Sequence, residues 1–202
     1  MKLNKLEFMA MNNPIRKLIQ QFVEIKKFRQ LSNLKANKVV LEIGCGNGTG
    51  TKLIQKYFSP KKIYAVDIDE KMLKKAQKKN NDTNIIFEIA DVTKLPYADN
   101  TFDAIFDFGM IHHIVEWKVC LKELKRVLKP NGELILEDLS IESFETFFGI
   151  FLKFFLKHPY EKMYKLKDFL KYLEKINFEI KNKKNLYPLG LVNFFVLIAS
   201  KK

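Results

Sequence analysis

Apolar positions along the 202-residue chain change their period several times, and each change marks an element. Ile15, Leu18, Ile19, Phe22, Ile25 and Phe28 recur at three- and four-residue steps, so 1–34 reads as an N-terminal helical segment. Pro14 suits a first helical turn. From Lys38 the apolar runs shorten. KVVLEI is a buried strand feeding a glycine loop, and a helix follows through Thr51 to Phe58. KKIYAVDI is the second strand and Glu70 to Lys79 the next helix, with NIIFEIA and FDAIFDF as the third and fourth strands. A helix from Trp117 to Leu128 stops at the turn Lys129-Pro130-Asn131-Gly132, and GELILEDL is the fifth strand.

Strands alternating with helices of this length predict an α/β, doubly wound architecture: a parallel sheet with helices on both faces. The end of the chain breaks the alternation. After a helical stretch from Leu166 to Lys175, NFEIKNKKN and NFFVLIASKK are two strands joined by a linker too short for a crossover helix. They are expected to pair antiparallel as a closing hairpin. The expected whole is a single domain over 1–202 with a seven-stranded, mostly parallel sheet and an antiparallel last strand.

A composition of 47% hydrophobic and 29% charged residues excludes wholesale disorder. Two cysteines, Cys45 and Cys120, cannot form a disulfide framework and read as reduced thiols, which gives a cytoplasmic location as the expectation. The N-terminus lacks the apolar run and cleavage site of a signal peptide, and no stretch approaches the roughly 20 apolar residues that span a bilayer. Charge is less ordinary. Lys plus Arg is 36 against 23 acidic residues, giving +13, which attracts polyanions or anionic membrane. Only Arg16, Arg29 and Arg126 are arginines, whereas readers of bases and phosphates favour the bidentate guanidinium. A solvated lysine surface is the plainer reading, and nucleic acid is disfavoured as a partner.

The densest chemical signal is VVLEIGCGNGTG, residues 39 to 50. A buried strand runs into Gly44, Gly46 and Gly48, where the backbone can turn sharply and approach a ligand, and the loop then opens a helix. A dinucleotide fingerprint needs glycine where Thr49 stands, and no Gly-Lys-Ser/Thr follows, so the ligand need not carry a pyrophosphate. Asp67 closes the second strand nineteen residues beyond Gly48, placed to accept from a ribose diol, and Asp91 with Val92 follows the third strand. Asp69 reads as the cap of the helix that begins at Glu70. The three histidines, 112, 113 and 158, show no metal-ligand spacing, so no metal is expected.

VLEIGCGNG, YAVDID, ADVTKLPYADNTFD and LKPNGELIL, in this order, resemble the motif series of class I S-adenosylmethionine-dependent methyltransferases with their Rossmann-like fold. The nearest group is the small-molecule branch with quinone and lipid methyltransferases. The resemblance covers about residues 38 to 138 and implies S-adenosylmethionine as cofactor. It implies that Gly44, Gly46 and Gly48 wrap the methionine part, with Cys45 counted among the cofactor positions and Glu42 ordering the loop or the methionine ammonium through water. Asp67 would hold the ribose and Ile68 pack on the adenine. Asp91 and the Val92 N–H would meet the adenine edge, and Phe108 is counted among the cofactor positions. The chain then divides into the helical segment 1–34, a cofactor-binding core 38–138, an acceptor-lid segment 139–165, and a closing helix and hairpin 166–202.

Methyl transfer from a sulfonium needs the acceptor held in line, and a base only where the acceptor atom carries a proton that must leave. His112 and His113, just past the fourth strand, are the catalytic candidates. Glu137 and Asp138 end the fifth strand, where they would favour a cationic acceptor group. Between Ser140 and Pro159 lie Phe144, Phe147, Phe148, Phe151, Phe154 and Phe155, six of 18 phenylalanines. Packing over the sheet, a lid for a greasy acceptor and a helix in a membrane interface all fit this stretch. With the basic N-terminal helix, it makes a lipid or quinone-like acceptor and peripheral contact with anionic membrane the favoured expectation. A small polar amine or thiol, RNA, or a non-catalytic cofactor-binding role are the alternatives.

Overall fold

The computed structural model describes residues 18, 20–145, 162–187 and 193–202. Most of the expected N-terminal helical segment, the phenylalanine-rich stretch beyond Phe144 and the hairpin linker 188–192 lie outside the described residues. Seven strands form one sheet in the order β3-β2-β1-β4-β5-β7-β6. They are β1 Val39–Ile43, β2 Lys62–Asp67, β3 Ile85–Ile89, β4 Phe102–Phe108, β5 Leu128–Asp138, β6 Phe178–Leu186 and β7 Phe194–Lys201. Among the described residues the α-helices are α1 Ile25–Leu31, α2 Thr49–Phe58, α3 Glu70–Lys79, α4 Trp117–Val127 and α5 Leu166–Lys175, with a π-helical turn Gln20–Glu24 leading into α1. β1 to β5 pair in parallel, and β7 runs antiparallel to both β5 and β6, as the sequence pattern predicts.

Both faces of the sheet are covered because its strands bury both of their faces, as parallel sheets do. Leu41, Ile43, Ile105, Leu134 and Leu136 pack with Trp117, Leu121 and Leu124 of α4 and Phe169 and Leu173 of α5. The alternate positions Val40, Phe106, Ile135 and Val196 pack with Ile25 and Phe28 of α1 and Ile54 and Phe58 of α2. Period-two alternation in the strands thus meets period-3.6 stripes in the helices.

β5 departs from the sequence reading. It begins at Leu128, directly after α4, and carries the Lys129–Gly132 turn as an irregularity inside the strand. Phe102 pairs Leu128 and Ala104 pairs Glu133, so extra residues loop out on β5, with Asn131 at φ 61° supplying the left-handed turn. Lys201 pins this corner by donating to Leu128 O (2.6 Å), Lys125 O (2.8 Å) and Asn100 Oδ1 (2.8 Å). The strand order reverses between β1 and β4. Open α/β sheets hold ligands at the carboxyl ends beside such a switch point.

Candidate active site

At this switch point the loop after β1 turns three times through left-handed backbone, with φ 62° at Gly44, 53° at Gly46 and 78° at Gly48. Gly48 is the N-cap of α2 and is closely packed; a Cβ there would lie 2.5 Å from Asn80 Nδ2 and 3.0 Å from Ala76 Cβ. Gly46 is the opposite case. Its Cβ would meet Gly44 O and Met72 Cε at 3.9 Å, ordinary contact distance, so the left-handed φ rather than crowding calls for glycine there. Cys45 is buried and donates its N–H to Val66 O (2.9 Å), which ties the loop to β2.

Asp67 completes that tie. Its Oδ2 accepts from Gly46 N (2.8 Å) and its Oδ1 from Asp69 N (2.9 Å), while burial raises its carboxyl above the usual range. The central N–H of the loop is therefore already satisfied by a carboxylate, which would repel a phosphate. The geometry suits a cationic or neutral ligand in place of the pyrophosphate found on related glycine loops. Ile68, 43% exposed, sits beside Asp67 with its side chain largely uncovered. Asp69 caps α3 by accepting from Lys71 N (2.8 Å).

Glu42 lies beneath the loop, 2% exposed. Thr51 donates its hydroxyl to Glu42 Oε2 (2.5 Å), and Gly50 leaves only enough room for the carboxyl, since a Cβ there would stand 2.2 Å from Glu42 Oε1 and 2.8 Å from Phe108 Cδ2. Burial pushes the Glu42 carboxyl up to about 8, against the lowering effect of the Thr51 hydrogen bond. The side chain is thus neutral over most of the ordinary pH range. Phe108, which ends β4, is buried against α1, with its ring 5.0 Å from that of Phe28.

After β3, Asp91 accepts from Thr93 N (2.8 Å) and Thr93 Oγ1 (2.7 Å), and these bonds hold its carboxyl below the usual range. Asp91 is exposed, and Val92 beside it is buried in the core. Arg126 of α4 fixes this connection: it donates to Leu95 O (3.2 Å), Tyr97 O (2.8 Å) and Asp99 (2.7 Å), and it holds Glu123, which accepts Leu95 N.

Past β4, a 3₁₀ turn at Ile111–His113 presents the two histidines. His112 is buried, and its backbone N–H donates to Asp138 Oδ2 (3.0 Å) while its Nδ1 pairs with Asp138 Oδ1. The His112 and His113 rings lie 4.0 Å apart. Asp138 also accepts from Tyr164 Oη (2.6 Å) and Leu139 N (2.8 Å). The sequence reading placed Asp138 toward an acceptor. Instead it is fully buried, with both oxygens engaged, because the end of β5 is covered by the 3₁₀ turn and by Tyr164. Glu137 is buried as well. Asp107 is buried too, its Oδ1 accepting from Met110 N (2.8 Å) and its Oδ2 without a hydrogen-bond partner. Burial and then the Asp138 charge raise the Asp107 carboxyl.

Tyr164, Thr51 and Gly50 escaped the sequence reading. Gly50 was visible as the last residue of the glycine run, whereas no local signal marks Tyr164, 26 residues from Asp138. Among the described residues no group of three His, Cys, Asp or Glu side chains could hold a metal ion.

Residues 41–136 match the family described as Methyltransferase domain, which is just under half of the chain. Among curated proteins, the chain is 36% identical over 135 residues to the ubiquinone/menaquinone biosynthesis C-methyltransferase UbiE of Rickettsia akari, covering 63% of this chain and 53% of that protein. It is 31% identical over 101 residues to the fatty-acid O-methyltransferase of Mycolicibacterium smegmatis, covering 50% and 37%. The aligned stretches thus span about half or less of these curated relatives. Among solved structures, a SAM-dependent methyltransferase from Aquifex aeolicus superposes with a TM-score of 0.75 at 26% identity, covering 98% of this chain and 99% of that one.

Proposed function

We propose that this chain is an S-adenosylmethionine-dependent methyltransferase acting on a hydrophobic or amphiphilic acceptor such as a lipid or quinone. The observation that carries the cofactor is the left-handed glycine loop at the switch point whose Gly46 N–H is held by the Asp67 carboxylate at the end of β2, an arrangement that disfavours phosphate. Gly44, Gly46 and Gly48 hold the methionine part, with Cys45 in the same loop and Glu42 beneath it. Asp67 accepts from the ribose, Ile68 covers one face of the adenine, and Asp91 with Val92 meets its edge, while Phe108 backs the loop. When bound, the cofactor supplies an electrophilic methyl on sulfur, and the S–CH₃ electron pair leaves with the sulfur as the acceptor–CH₃ bond forms.

What the residues add is alignment and, for a protic acceptor, a place for the proton. His112, whose Nδ1 pairs with Asp138, is the candidate for that role, and His113 stands beside it. The lipid or quinone reading is supported by the relatives named above and by the phenylalanine content of the sequence between Glu145 and Lys162. The described residues that flank this stretch meet, with Ile141 N donating to Tyr164 O (3.1 Å) and the Glu142 carboxylate accepting from Leu166 N (3.2 Å). Five phenylalanines, Phe147, Phe148, Phe151, Phe154 and Phe155, fall within the stretch. Peripheral contact with anionic membrane belongs to the same proposal. Among the described residues no helix is long and apolar enough to cross a membrane. The test is transfer of labelled methyl from S-adenosylmethionine into a host-cell extract, partitioned between chloroform and water. Label in the organic phase, lost in Asp67→Ala, is the expected result; label confined to the aqueous phase overturns the lipid or quinone acceptor.

A further inference from the structure

Tyr164 also lines a concavity that includes no residue of the loop after β1. It is a cleft of about 430 Å³ between the first turn of α4 (Trp117, Lys118), the approach to α5 (Met163 to Lys165) and α5 itself (Asp168, Lys171, Tyr172, Lys175). Its volume lies in the range of small-molecule sites. Its wall is aromatic and fixed in place. Trp117 meets Tyr172 edge to face at 5.4 Å and Tyr164 at 5.4 Å, and Tyr164 stacks on the buried Phe169 at 4.4 Å.

The charged lining is one-sided. Lys118, Lys165, Lys171 and Lys175 converge on the cleft against a single carboxylate, Asp168. Among the described residues none of these four lysines lies within ion-pair distance of a carboxylate. Elsewhere in the chain some basic side chains are paired: Lys74 with Glu70, Lys181 with Glu179, and Arg126 with Asp99 and Glu123. Lys118 is held over the rings of both Trp117 (5.3 Å) and Tyr172 (5.6 Å), so its ammonium is placed at the rim before any ligand arrives. Lys171 and Lys175 are one helical turn apart, a like-charge spacing that costs stability unless an anion lies between them. A concave wall of one sign also focuses the field and raises the local concentration of counter-ions.

We propose that this cleft binds a phosphate ester, its phosphate held by Lys165, Lys171 and Lys175 and its carbon part lying on Trp117, Met163 and Tyr172. The site is separate from the methyl-transfer crevice, where Asp67 disfavours phosphate, and it shares one residue with it. Tyr164 lines the cleft with its ring and donates its hydroxyl to Asp138, the partner of His112. The ester enters either as a free small molecule or as a phospholipid headgroup, and the phosphate chemistry is the same for both.

Trp117 is the chain's only tryptophan, so its fluorescence reports the cleft without labelling. The full chain is titrated at constant ionic strength with phenyl phosphate, with benzyl alcohol as the uncharged control, and with vesicles containing phosphatidic acid. A saturable change with phenyl phosphate, absent with benzyl alcohol, is expected. Lys171→Gln combined with Lys175→Gln is expected to weaken it about tenfold, a loss of two exposed charge contacts, while the unfolding midpoint holds or rises slightly and S-adenosylmethionine affinity stays unchanged. Saturation by vesicles with phenyl phosphate also saturating assigns the headgroup as an accessible source, and saturation by phenyl phosphate alone assigns the free ester. The proposal is overturned by the absence of a saturable change with phenyl phosphate, by an equal response to benzyl alcohol, or by an undiminished response in the doubly substituted protein.

Discussion

Replacing Glu42 by glutamine isolates the electrostatics beneath the glycine loop. The carboxyl is buried, is raised to about 8 from an ordinary value of 4.5, and accepts one hydrogen bond from Thr51. Because the folded-state value is raised, the folded protein holds this proton more tightly than the unfolded chain does. Its stability contribution is therefore fully present below pH 4.5 and is lost as pH climbs toward 8. Each pH unit inside that window removes about 1.4 kcal/mol, so wild type loses about 2–3 kcal/mol between pH 5.5 and 7.5 from this group alone. The glutamine side chain of Glu42→Gln has nearly the same shape and still accepts from Thr51, but it carries no proton to lose. The difference in unfolding free energy, variant minus wild type, should thus grow by about 2–3 kcal/mol over that interval in urea titrations run at both pH values. Parallel stabilities at the two pH values would refute the claim that Glu42 is held neutral.

Gly48→Ala is expected to destabilise the fold by about 1–2 kcal/mol or more, since the left-handed backbone at φ 78° and the contact with Asn80 both oppose a Cβ; thermal unfolding measures it, and an unchanged midpoint would contradict the geometry. Arg126→Lys keeps the charge but loses the fork that grips Leu95, Tyr97, Asp99 and Glu123, so about 1–2 kcal/mol of stability should go in urea titration. A neutral result there would mean the 91–99 connection is held by its apolar contacts instead.

How far the sequence could be read depended on the range of the interaction. Local signals were clear: α3 and α5 begin and end where their periodicity does, Asp69 caps α3, and the short hairpin linker forces β6 and β7 antiparallel. The early start of β5 was hidden because Leu128 continues the apolar stripe of α4, and a turn inside a strand looks like a boundary between elements. The glycine loop, Asp67 and Asp91 could be placed at one end of the sheet because each directly follows a strand. That Gly46 donates to Asp67, however, depends on how two loops meet across 21 residues. Asp138 shows the same limit more sharply. A carboxylate at a strand end is expected to face a ligand, and only its distant partners His112 and Tyr164 show that it is buried and engaged.

The most direct test of the account is calorimetric titration of S-adenosylmethionine into the wild-type chain and Asp67→Ala at pH 7. One site per chain is predicted for wild type, with binding weakened by about 1.5–3 kcal/mol in the variant through the lost charged acceptor of the ribose and of Gly46 N. No binding to wild type, or equal affinity in the two proteins, would contradict the assignment of the Gly44–Gly48 loop and Asp67 as the cofactor site.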